Sequence, residues 1–157
     1  MIDELPTRAA LTVAAFAILA VGLALVAVPG RDEARDAAQS LADHLARELD
    51  AVSSIDGEVR LRGDDFRLPD RLAGAPYALE FHASFLRVRV QGHDASAPLK
   101  MRVHPFEPSS AAFTPEDLAK LDAFVVAFRP SDPFVVERTW RWVSAEPTYL
   151  TFVYLPR

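Results

Sequence analysis

Hydrophobic and polar positions divide the chain into three stretches with different periods. From Ala9 to Val28 it reads AALTVAAFAILAVGLALVAV, without a charged residue. A helix of that length rises about 30 Å, the thickness of a bilayer's hydrocarbon core. Ten of its positions are Leu, Ile, Val or Phe, and together they supply on the order of −3 to −6 kcal/mol toward insertion. The run predicts a transmembrane helix over residues 9–29 behind a short leader at 1–8. Behind Pro29 and Gly30, the residues Ala34, Ala38, Leu41, Leu45, Leu49 and Val52 recur at intervals of three and four. That stripe predicts an amphipathic helix over 31–53, with Leu41, Leu45, Leu49 and Val52 as a helix-on-sheet core and Asp36, Asp43, Arg47 and Asp50 facing water. The two segments together predict one rod of about 45 residues with a kink at Pro29 and Gly30.

From Glu58 the period changes to two. Val59 and Leu61 alternate with arginines, and Tyr77, Leu79 and Phe81 followed by Leu86, Val88 and Val90 predict two antiparallel strands joined near Ala83 and Ser84. Leu99, Met101 and Val103 predict a third strand. Thr114-Pro115-Glu116-Asp117 offers an N-cap, a proline at the first helical position and acids in the first turn, which predicts a short helix to about Ala123. Phe124–Phe128, Phe134–Val143 and Tyr149–Leu155 predict further strands. The expected fold is α+β, with a long N-terminal helix, membrane-spanning then amphipathic, packed on a mainly antiparallel sheet in a head that fills residues 31–157.

Composition narrows the chemistry. The absence of cysteine excludes disulfides, thiolate metal sites and a cysteine nucleophile, and a net charge of −5 argues against nucleic acid as a partner. His44, His82, His93 and His104 never stand at metal-ligand spacing. Asp64-Asp65 reads as turn chemistry and Glu116-Asp117 as a helix N-terminus. No glycine-rich phosphate loop or nucleophile elbow occurs. The expectation is a non-enzymatic protein without metal or cofactor. Trp140 and Trp142 share one strand face, and the bulk of such residues predicts core packing, an exposed aromatic surface being the alternative.

The apolar run is too long for a cleaved signal's core, and Pro29 and Gly30 stand where a small-x-small site belongs. Its small residues Ala10, Ala14, Ala17, Ala20, Ala24 and Ala27 line one side, which allows close helix contacts in lipid and suggests an assembly face, although an alanine-rich coding bias gives the same pattern. The count of basic residues, Arg8 before the run against Arg31, Arg35 and Arg47 after it, favours a head inside the cell.

This lollipop layout resembles type IV pilins and pilin-like proteins, especially small archaeal ones. Leu68-Pro69 through Gly74-Ala75-Pro76-Tyr77 is similar to a segment of archaeal pilin-like proteins, and Arg8-Ala9 before the run looks like a prepilin peptidase site. The resemblance implies processing at Arg8, Ala9 and Ala10, a head outside the cell, and a minor or pseudopilin-like role, since Ala14 stands where many pilins carry glutamate. Expected partners are membrane lipid, identical or related pilin-like subunits and their assembly machinery. The competing readings are a membrane-anchored extracytoplasmic binding domain that never polymerises and an accessory subunit of a membrane complex.

Overall fold

The computed structural model describes residues 31–156. The leader, the apolar run Ala9–Val28, the Arg8-Ala9-Ala10 site and the stripe from Ala10 to Ala27 lie outside the described residues. The first element is helix α1, Arg31–Ser54, of 24 residues. It lies across a four-stranded antiparallel sheet of order β4-β3-β2-β7, formed by β2 (Tyr77–Phe81), β3 (Phe85–Val90), β4 (His93–Pro98) and β7 (Val126–Phe128). Ala34, Ala38, Leu41, Leu45, Leu49 and Val52 are at most 2 % exposed. Ala42 and Ala46 are buried beside them. They widen the stripe with methyl groups small enough to let the helix settle closely on β3 and β4, its main contacts.

A second sheet runs β1-β8-β9-β5, from β1 (Val59–Arg62), β8 (Val135–Val143), β9 (Glu146–Tyr154) and β5 (Val103–His104), with β6 (Ala112–Phe113) on the outer edge of β8. Short helix α2, Pro115–Leu121, follows β6. The two sheets meet at a hub of rings. Phe134 lies 4.4 Å from Phe128 and 5.4 Å from Phe66, and Phe128 stacks 5.2 Å from Phe81. Gly63 passes so close that a Cβ there would lie 2.8 Å from the Phe134 ring.

The expected pilin-like lollipop is corrected. The class is α+β, but the described helix stops at 24 residues rather than forming a long N-terminal rod. Among the described residues no helix is long and apolar enough to cross a membrane. The head holds two sheets instead of one, because β8 and β9 turn their inner face to the main core only at Val136 and Val153 and build a second core on the other side from Phe113, Leu118, Val135, Phe152 and Tyr154. Two pairings, β5 with β9 and β6 with β8, are parallel. The strand expected over Leu99–Val103 is also corrected. The neighbour of β3 is His93–Pro98, reached through a two-residue turn at Gln91 and Gly92, both at positive φ. Of the expected strand only Val103 pairs, together with His104 beyond it.

Candidate functional site

Among the described residues, the β8–β9 hairpin leaves three large aromatics uncovered together, while Phe124 and Val125 are exposed elsewhere. Along one face, Val136 and Val153 are buried in the main core, Arg138 and Thr151 stand at the end of α1, and Trp140, Tyr149 and Trp142 project beyond it. These three aromatics are 44 %, 40 % and 42 % exposed. The expectation of core packing for the tryptophans is thereby corrected. The helix that would cover them ends at Ser54, and the chain turns away through Gly57, whose φ of +141° suits glycine. Trp140 sits directly opposite Tyr149 in register, and its ring meets that of Trp142 edge-on at 5.8 Å. The Arg138 guanidinium lies 5.1 Å over the Tyr149 ring and donates through Nε to the Ile55 carbonyl at 2.6 Å. Burial lowers its pKa, opposed by Tyr149 and Asp56.

Beside the hairpin opens a cavity of about 360 Å³, with Met101 and Arg102 on one side and Tyr149 and Leu150 on the other. Its existence follows from where backbone amides are spent. The Asp50 carboxylate accepts from the amides of Lys100 and Met101 at 2.9 and 3.0 Å, Leu99 donates to the Ser84 carbonyl, and Val103 donates to the Ala83 carbonyl. That segment is strapped onto α1 and the β2–β3 turn, so its pairing with β9 begins only at Val103. The hydroxyls of Ser53 and Thr151 are buried in the cavity's wall with no hydrogen-bond partner among the described residues.

One titratable pair stands at the cavity's floor. His104 Nδ1 meets Asp122 Oδ1 at 2.6 Å, with both side chains buried, and Arg102 adds a contact to Asp122 at 3.2 Å. The His104 ring packs against Phe106 and Phe152. A buried histidine whose carboxylate partner is itself held by an arginine is fixed in place, and it ties β5 to the end of α2. The other histidines are scattered. His82 stacks on Phe85 at 4.0 Å, and His44 lies on α1, where burial and then Arg47 lower its pKa. Among the described residues no three His, Cys, Asp or Glu side chains stand together as metal ligands. Asp65 accepts from the Arg62 amide, and Asp117 closes a capping box with Thr114. Hydrogen bonds from Thr114 hold the Asp117 carboxyl below its ordinary range.

Of the residues singled out from the sequence, Leu41, Leu45, Leu49 and Val52 are buried on the face of α1 that packs on the first sheet, and the alanine stripe and processing site lie outside the described residues. Asp50 was legible only as a polar-face residue. Its role as an acceptor for two amides some fifty positions away carries no local signal, though its place in the last turn of α1, one turn past Ala46, put it near the strap.

Compared with known protein families, with curated proteins and with solved structures, the chain matches none. The functional reading therefore rests on the chain's own geometry.

Proposed function

We propose that this protein is a non-enzymatic, membrane-anchored binding domain whose binding end is the β8–β9 hairpin. The observation that carries the reading is the uncovered row of Trp140, Tyr149 and Trp142 on a face that lower down is core. Large aromatics supply contact area at low entropic cost and are favoured at the centres of interfaces. In sequence the apolar run ends at Val28, shortly before α1 begins at Arg31, whereas the aromatic row lies at the Ser54 end, about 36 Å away along α1. An anchor at one end of the helix and an adhesive face at the other is the arrangement of a domain that reaches from a bilayer toward a partner. On this reading the head faces outward.

Assembly among like subunits through Ala10, Ala14, Ala17, Ala20, Ala24 and Ala27 is the second reading, favoured by that stripe in the sequence. The two are separated in host cells. Carbonate extraction should leave the full chain in the membrane pellet, and protease added to intact cells should remove the head. A photo-reactive side chain at position 142 should then give a discrete adduct that one at Asp94, on the opposite sheet, does not. Release into the supernatant, a protected head, or the same adducts from both positions would each overturn the binding-domain reading. Adducts confined to position 17 and made only with the chain itself would favour assembly.

A further inference from the structure

We propose that the outer edge of β9 takes an extended acidic segment of a partner polypeptide as an added strand, an inference that rests on the binding-end reading above. In the second sheet, β8 has its outer edge paired at both ends, by β1 opposite Val135–Arg138 and by β6 opposite Trp142 and Val143. The edge of β9 is different. β5 pairs with it only at Thr151 and Phe152, and among the described residues no strand besides β8 pairs with Glu146–Leu150, so their outer side is open. An unpaired edge presents a ladder of amide and carbonyl groups in the geometry that another strand requires.

Three features turn that open edge into a receptor. The strap from Leu99 to Val103 is tied to Ser84, Asp50 and Ala83, so it cannot swing back to close the ladder, and the cavity beside Tyr149 and Leu150 stays available for a side chain. On β9 itself Pro147 and Tyr149 give one face of the edge an apolar surface, continued on β8 by Trp140 and Trp142, while Leu150 shares the other face with the polar Glu146 and Thr148. The cavity beside the edge carries more arginine than carboxylate in a chain of net −5. Arg102 and Arg138 line the cavity, where the single carboxylate, Asp122, is already held by His104 and Arg102. Lys100 stands exposed on the strap.

A second copy of the chain fits less well. Pro147 lacks a donor and blunts the tip, and a symmetric pairing centred on Tyr149 would set Pro147 of each copy against Thr151 of the other, where β5 already lies. The remaining stretch, Thr148 to Leu150 beside the cavity, suits a short segment from a different chain.

Both tryptophans of the protein stand on β8, one strand in from the proposed contact and on the face that Tyr149 shares, so intrinsic emission reports on it without a label. The full chain in detergent micelles is titrated with a capped seven-residue peptide alternating valine and glutamate, with its lysine counterpart, and with the glutamate peptide N-methylated at alternate residues to remove ladder donors. The acidic peptide should shift the emission to the blue with saturation. The other two should bind at least about tenfold more weakly, the lysine peptide through charge and the methylated one through lost main-chain bonds. Equal binding of the methylated peptide, no saturable response to the acidic one, or a blue shift that grows with protein concentration alone would overturn the proposal. The last outcome would assign the edge to a second copy. If the peptide fails while position 142 still yields its discrete adduct in host membranes, strand addition falls and the binding end stands.

Discussion

Two antiparallel hairpins of the head with two-residue turns, β3–β4 and β8–β9, use side-chain size in opposite ways. In β3–β4 the face under α1 carries Ala95 and Ala97 beside Leu86, Val88 and Val90, all buried. In β8–β9 the largest side chains of the chain, Trp140 and Trp142, are the exposed ones. A helix lying on a sheet needs small residues to approach closely, which explains the first pattern. Among the described residues no helix or strand packs over the tryptophans of the second face, so their bulk does not serve the described core. The turns differ as well. Gly92 adopts φ of +77° without cost, whereas Ser144 and Ala145 hold +51° and +68° with a Cβ each. Gln91 beside Gly92 is also left-handed, at +50°, so the β8–β9 turn carries two such non-glycine positions against one in β3–β4.

The comparison breaks most directly through core truncation. Leu45→Ala, under β3–β4, should cost about 2–5 kcal/mol of unfolding free energy in urea, while Trp142→Ser should cost less than about 1 kcal/mol. Similar losses would mean that the second hairpin is as buried as the first. Gly63→Ala tests whether the hairpins form one cooperative unit. Its Cβ would push on Phe134 at the hub between the sheets, and should lower stability by about 1–3 kcal/mol with a single transition retained. Two separated transitions would show that the sheets unfold independently. At the turns the expected signs are opposite. Ala145→Gly should stabilise by up to about 1 kcal/mol and Gly92→Ala should destabilise by a similar amount, both read from the melting temperature.

The smallest effect is alkaline. Burial raises the Tyr77 phenol in the first sheet, and burial with a hydrogen bond to the Glu137 carboxylate pushes Tyr154 in the second up to about 12. A folded-state pKa raised above the ordinary phenol value of 10 leaves stability intact below pH 10 and erodes it as pH climbs toward 12, because the unfolded chain releases its protons first. Stability should be level up to about pH 9.5 and fall beyond pH 10, and Tyr154→Phe should flatten part of that fall.

How much of this was legible depends on contrast along the chain. The stripe from Ala34 to Val52 and the alternation in Tyr77–Val90 stand out because large apolar and charged residues take turns, and α1, β2 and β3 fall where that contrast is strongest. β4 was hidden because Ala95 and Ala97 give weak apolar signals and Gln91-Gly92 is a muted turn. β5 and β6 are two residues long, too short for any period. The aromatics of β8 were placed on the correct shared face, but which part of that face is covered depends on where α1 ends in space. The open edge of β9 follows from Asp50 drawing a distant segment away, which no local pattern encodes.

The central claim is that the Trp140–Trp142 face is bare in the isolated chain and covered in its native membrane. Since the protein has no cysteine, Trp142→Cys and Asp94→Cys each introduce a single thiol. Maleimide labelling rates are compared for the purified full chain and for host membranes. Trp142→Cys should label rapidly when purified and at least about tenfold more slowly in membranes, with Asp94→Cys equally reactive in both. Slow labelling of the purified Trp142→Cys, or equal rates in the two settings, would contradict the account.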